Sequence, residues 1–225
     1  MFNTPYETKP AALIFGKAIH RAAETFYVNL RETGEIIPAE KMAAVFEAVF
    51  DKEIEKTDVE ITCKEGENLG TLREQGKVLV RLFHQEINPQ KIVAIEFPFN
   101  VKVPDIINGN GELPVDLVGR FDLIESDSQR TYIVVELKSS AQRFSSLKLE
   151  YDLQATVYSY AMAKLKVATS KTSTLIRYDV LLKTKKPAFE HYYVTRTEED
   201  HQRLIHSLNH VLKAIENRIF YRQPE

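Results

Sequence analysis

The run Tyr132-Ile-Val-Val135 is almost wholly apolar and then ends on Glu136-Leu-Lys138, a change that constrains the fold more than any other part of the chain. A strand-length stretch of β-branched residues without alternation suits a strand covered on both faces. An acid and a base at the end of such a strand must be paired, exposed or metal-bound, because burying either charge alone is costly. The preceding run, Pro114 to Glu125, reads as a second strand and carries Asp122, with thirteen residues between it and Glu136. Ser126-Asp-Ser-Gln-Arg130 reads as the turn of a hairpin, which would set Asp122 and Glu136 on neighbouring strands.

The first third of the chain has a helical period. Residues from about Ala11 to Thr33 carry Leu13, Ala18, Ala22, Phe26 and Leu30 at helical steps, with His20 in the first half and Gly34 at the end. A second helix is expected over Pro38 to Lys56 (Met42, Val45, Phe46, Val49, Phe50) and a third over Asn68 to Ile87 (Leu72, Val78, Leu79, Leu82, Phe83). Between them, residues 57–67 are polar, contain Gly66 and read as an exposed connection. From Lys91 the texture turns to strand: 91–101, 115–125 and 131–137. A helix over Leu147 to Val167 follows, with a stripe of Leu149, Leu153, Thr156, Val157, Tyr160 and Ala161 suited to packing on the sheet. Thr174–Lys183 and Ala188–Thr195 read as a hairpin, and Thr197 as the N-cap of a last helix reaching about Phe220. The expected architecture is α/β: a central mixed sheet flanked by helices. Residues 1–225 would form a single domain, with a mainly helical part over 1–90 carrying His20 and a sheet core over 91–225.

A length of 225 residues with 44% hydrophobic composition can bury a full core. The one cysteine, Cys63, allows neither an internal disulfide nor an all-cysteine metal or iron–sulfur site within the chain, and the simplest compartment is a reduced, cytoplasmic one. No window approaches the roughly 18 apolar residues of a membrane span. Net charge is −2, but residues 138–186 hold ten Lys/Arg against three Asp/Glu (+7) and the remainder twenty against twenty-nine (−9). A basic segment beginning at Lys138 would attract a phosphate backbone; a solvated helix and hairpin without a partner explains the same charge equally well.

Hydrolysis of a phosphate ester needs an activated water and charge neutralisation, which hard cations held by carboxylates supply. Asp122 and Glu136 suit that task, and Lys138, on the same strand face as Glu136, could orient the water or stabilise developing charge. A structural salt bridge is the alternative. Asp116 lies six residues before Asp122, about 20 Å away along a continuous strand, and falls outside such a site. Phe189, Tyr192 and Tyr193 suit hairpin packing better than base stacking, and His201, His206 and His210 read as surface residues.

Four segments together resemble the PD-(D/E)XK nuclease superfamily, and within it the RecB-like branch that includes nuclease domains of recombination helicase–nucleases and CRISPR-associated exonucleases. Gly119-Arg-Phe-Asp-Leu-Ile124 resembles the branch's aspartate strand and Val135-Glu-Leu-Lys-Ser-Ser140 its (D/E)xK strand. Gln154-Ala-Thr-Val-Tyr158 resembles its Q-x-x-x-Y helix, and Phe15-Gly-Lys-Ala-Ile-His20 its G-x-x-x-H segment. The resemblance implies a restriction-endonuclease-like core and Mg²⁺ or Mn²⁺ held by His20, Asp122 and Glu136, with Glu96 as a further ligand. It implies catalysis by Asp122, Glu136 and Lys138, and substrate contact by Gln154 and Tyr158. The implied activity is DNA cleavage, exonucleolytic on single strands or duplex ends, in repair, recombination or defence and within a larger recombination or CRISPR-type complex. Many members of the branch carry an iron–sulfur cluster on four cysteines flanking this region. Their absence suits either a cluster-free member or a fragment. The rival expectations are a non-catalytic nucleic-acid-binding module of a larger complex and a hydrolase of another phosphate ester.

Overall fold

A short strand, β1 (Thr8–Pro10), runs directly into α1 (Ala11–Thr33), whose start Pro10 favours with φ −61°. The computed structural model describes residues 8–109, 111–127, 130–165 and 173–219. Ile14, Phe15, Ala18, Ile19, Ala22 and Phe26 recur at helical steps and are buried. Leu13, counted in the expected stripe, is 64% exposed because the neighbouring Ile14 and Phe15 set the phase of the inner face. The helix ends at Gly34, whose φ of 75° lets its N–H return to the Leu30 carbonyl.

Helices α2 (Ala39–Glu55) and α3 (Leu69–Glu86) complete the N-terminal layer. The segment between them is more than an exposed connection: β2 (Glu60–Thr62) pairs in parallel with β1, and Ile61 and Cys63 are half-buried against the core. A polar composition hid this because the strand is only three residues long. At the start of α3, Asn68 and Thr71 cap each other's backbone N–H groups. Farther along, Gly76 lies against the Phe46 ring, where an added Cβ would sit 1.9 Å from Cζ. Gly76→Ala is therefore expected to lower stability by about 1–3 kcal/mol, the range for overpacking a filled core. A urea unfolding midpoint equal to that of the parent would contradict this.

The main sheet comprises β3 (Lys91–Val101), β4 (Leu117–Ser126), β5 (Thr131–Ser140), β6 (Ser173–Leu182) and β7 (Ala188–Val194), in spatial order β3-β4-β5-β6-β7. Neighbours run antiparallel except β5 and β6, which are parallel. A parallel pair requires a crossover, here provided by α4 (Ser146–Tyr151) and α5 (Leu153–Lys164). The sequence predicts one helix over this stretch. It is broken because Asp152 adopts an extended conformation and its carboxylate accepts the Gln154 N–H, capping α5. The break turns Leu153 outward, 60% exposed, rather than onto the sheet. Val167, the expected end of that helix, and Phe220, the expected end of the last one, lie outside the described residues, as do Asn110, Ser128 and Gln129 in the expected turns.

One face of the sheet packs Leu123, Ile133, Val135, Leu137 and Leu181 against α1–α3. The other packs Phe121, Ile124, Val134, Ile176 and Val180 against α5 and α6 (Glu198–Glu216). The expected surface position of His201 is corrected: it is buried on the inner side of α6 one turn before Leu204 and Ile205, with Nε2 2.9 Å from Ser159 Oγ. His206 and His210 are exposed. On the α1–α3 side of the sheet, Arg177 donates to both carboxylate oxygens of Glu125 and both of Asp179, all three residues being buried. His191 Nδ1 lies 2.7 Å from Asp179 Oδ1.

Candidate metal and phosphate site

Strands β4 and β5 pair from Ser126–Tyr132 to Leu123–Val135, and the regular ladder ends there. Asp122 and Glu136 are the next residues, so the carboxylates stand where regular pairing stops. In place of a backbone acceptor, the Leu137 N–H donates to Asp122 Oδ2 at 3.0 Å. On the other side of β4, the pairs Ile95–Leu123 and Phe97–Phe121 bracket Glu96, setting it opposite Asp122. Glu96 has φ 47°, in the left-handed region that a strand residue rarely occupies. Three adjacent strands thus contribute Glu96, Asp122 and Glu136 to one row.

His20 comes to this row from α1, with Nδ1 3.4 Å from Asp122 Oδ2. One ligand atom each from His20, Glu96 and Asp122 lie within 4.8 Å of one another, all three residues half-buried. Glu136 is not in that trio. It is 3% exposed, and its Oε1 accepts from Lys138 Nζ at 2.5 Å while its Oε2 accepts from the Tyr158 hydroxyl at 2.7 Å. Tyr158 also lies 3.0 Å from the Arg120 carbonyl and receives Gln154 Nε2 at 2.8 Å. Gln154 and Tyr158 do face the same way, but buried Tyr158 points at Glu136 rather than into an open groove.

The local field is that of crowded acids. Burial, then the charge of Asp122, pushes the Glu136 carboxyl above its usual range, with Lys138 and Tyr158 opposing. Glu96 is raised for the same two leading reasons, against Arg120. Burial alone would pull His20 down, but its hydrogen bond to Asp122 and the charges of Asp122 and Glu136 outweigh it and leave the imidazole raised. Burial, followed by the Glu136 charge, raises the Tyr158 phenol, so it remains a donor at neutral pH. Each group is shifted in the direction that an added cation would relieve.

Beside the trio opens a cleft of about 530 Å³ between the sheet and the outer surfaces of α1 and α2. Arg120, whose Nη1 lies 3.3 Å from Glu96 Oε2, lines it, although nothing in its sequence setting singled it out. Asp116 is outside, paired with Lys102 at 2.6 Å. Phe189 is buried, Tyr192 stacks on Phe144, and Tyr193 is 55% exposed. No helix among the described residues is long and apolar enough to cross a membrane.

At the parting of two central strands an imidazole and two carboxylates lie within ligand reach of one another, a donor set that could hold a divalent cation, beside the buried Glu136 and its half-exposed partner Lys138. The chain belongs to the PD-(D/E)XK nuclease superfamily, whose family model matches residues 3–225. The superfamily comprises phosphodiester hydrolases that generally use divalent metals and act on nucleic acid, and the mixed sheet flanked by helices is consistent with its restriction-endonuclease-like fold. Among curated proteins none matches. Among solved structures, a candidate exonuclease from Eubacterium rectale is 12% identical over 90% of this chain and 69% of its own, with a TM-score of 0.44. The structure of SSO0001 is 14% identical over 93% and 78%, with a TM-score of 0.36.

Proposed function

We propose that the chain is a metal-dependent DNA nuclease of the RecB-like branch, acting as an exonuclease. The observation that carries the reading is the convergence of His20, Glu96 and Asp122 next to the Glu136–Lys138 pair. The donor set fits the ion: carboxylate oxygens suit Mg²⁺, the imidazole also suits Mn²⁺, and the charge of Asp122 raises both Glu96 and Glu136, a crowding that positive charge would relieve. His20, Glu96 and Asp122 would hold the ion, with Glu136 completing the row. When bound, such an ion neutralises charge on the phosphate and makes its water more acidic.

The chain's own groups have separable tasks in this reading. Asp122 is fixed by the Leu137 N–H, so its direction is set by the backbone of β5. Lys138 holds Glu136 and brings a positive charge to the point where negative charge develops on the phosphate. The left-handed backbone at Glu96 costs about 1–3 kcal/mol and suits a residue aimed by function rather than by packing. Tyr158 acts as a positioning residue for Glu136 rather than as the substrate contact the sequence suggests, and Gln154 holds the phenol in turn. Tyr158→Phe is then expected to lower kcat about 10–100-fold, the scale for losing a partner of a ligating group, with little change in KM. A rise in KM with kcat unchanged would restore the substrate-contact role.

The proposal is tested by incubating the protein with end-labelled and internally labelled DNA, single-stranded and duplex, with and without Mn²⁺. Metal-dependent release of short products from an end is expected. Binding without cleavage would favour a non-catalytic module, and hydrolysis of small phosphate esters alone a different hydrolase.

A further inference from the structure

The cleft beside the trio has an acidic floor and a basic rim. Lys17 and Arg21 reach it from α1, Lys52 and Lys56 from α2, and Arg120 from β4. In each pair the two cations are four residues apart, Lys56 being the αR C-cap of α2, hence on one face and about 6 Å apart along the axis. Lys17 pairs with Glu53 at 2.8 Å and Arg21 with Glu24 at 2.5 Å. Lys52 and Lys56 are exposed and, among the described residues, form no side-chain ion pair. A lysine near the end of α2 serves the helix dipole, but that does not require Lys52 and Lys56 both to line the cleft.

The segment with the largest linear positive charge offers less. Arg177 is buried between Glu125 and Asp179, and the side chain of Lys183 is 6% exposed and paired with Glu67. Arg143 and Lys148 pair with Glu190 and Asp152. Of its described cations without an ion pair, Lys164 lies over the Tyr160 ring and Lys185 and Lys186 are exposed in the β6–β7 turn, all three apart from the cleft.

We infer that the α1–α2 face is the phosphate track of the substrate strand. Lys52, Lys56 and Arg120 contact successive phosphodiester groups, and Lys17 and Arg21 join them by exchanging Glu53 and Glu24 for phosphate. The track leads one phosphate to His20, Glu96 and Asp122. This rests on the nuclease reading for the identity of the polyanion, but its own basis is the rim.

The test is a salt titration of binding. A fluorescent oligothymidylate is bound in Ca²⁺ buffer, its length is checked to be intact, and the slope of log K against log salt is compared for the parent, Lys52→Gln/Lys56→Gln and Lys185→Gln/Lys186→Gln. Losing two phosphate contacts should flatten the slope by about 1.4, at about 0.7 per contact on single strands, while the turn variant keeps the parental slope. Thermal unfolding of each variant verifies the fold; should the first pair fail to fold, Lys52→Gln and Lys56→Gln singly should each remove about half of the effect. An unchanged slope for the α2 variants, or an equal loss for the turn variant, overturns the track. The parent's cleavage in Mn²⁺ is read separately: binding through the rim without cleavage would sink the nuclease reading and leave the track, and cleavage with an unchanged slope would do the reverse.

Discussion

Glu136→Gln and Lys138→Ala are each expected to reduce DNA cleavage at least about 10²-fold, the scale for removing one preorganised charged or donor group from a transition state. The two replacements act on the same pair. Glu136 is buried with Lys138 on one oxygen and Tyr158 on the other, so a glutamine keeps the shape and the phenol's acceptor while removing the negative charge. Lys138 is half-exposed at the strand end and its loss opens no core. Both variants should therefore unfold cooperatively. Because the two residues act as a unit, the double variant should be little worse than either single one. Activity within a few fold of the parent in either variant, in a preparation free of contaminating nuclease, would mean that the pair is a structural salt bridge and that the chemistry lies elsewhere.

The largest stability effect is expected far from that pair. Arg177→Met would leave Glu125 and Asp179, both with side chains at 0% exposure, without their shared guanidinium. Breaking one side of a buried ion cluster costs about 3–5 kcal/mol because the remaining charge is stranded in a poorly solvating interior. Burial alone would make Arg177 less basic, but Asp179 and Glu125 reverse this and hold it firmly charged. The loss should appear as a lower urea midpoint, with catalytic residues untouched. Adding Glu125→Gln and Asp179→Asn to Arg177→Met should recover part of it, since the stranded charges are then gone. A loss below about 1 kcal/mol for Arg177→Met would instead imply that water reaches the acids and that the cluster is not sealed.

The contrast between these two clusters marks what the sequence can disclose. Asp122, Glu136 and Lys138 are visible because they interrupt apolar runs, and a hairpin with a short turn fixes which strands neighbour each other. His20 and the Gln154–Tyr158 pair are visible through spacing and company. Glu96 is harder: a lone strand glutamate ordinarily faces solvent, and what sets it in the trio is the cross-strand register opposite Asp122 together with a left-handed φ. Neither is encoded in a local pattern. Arg177, Asp179 and Glu125 sit on β6 and β4, which are separated by β5, and their mutual satisfaction depends on the parallel β5–β6 register, which no short window contains.

The helical layer shows the same division. The three N-terminal helices follow from period and caps, whereas Gly76 against Phe46 and the β1–β2 pair depend on how distant segments meet. The helical period runs unbroken across Asp152 in sequence, whereas its extended backbone makes it the cap of a second helix. Linear charge misleads most. The stretch 138–186 is basic in sequence, yet Arg177 and Lys183 point inward to partners, while the rim of the cleft draws its cations from the α1, α2 and β4 regions, in the part of the chain with the opposite balance.

In the proposed mechanism, cleavage depends on the ion site formed by His20, Glu96 and Asp122. This dependence is tested most directly by titrating Mn²⁺ into the parent and into Asp122→Asn, reading the bound ion by electron paramagnetic resonance and DNA cleavage in the same samples. A saturable site whose occupancy tracks cleavage is expected in the parent, with loss of both in Asp122→Asn and the fold retained. Full cleavage by Asp122→Asn, or Mn²⁺ binding that is the same in both proteins, would contradict the mechanism.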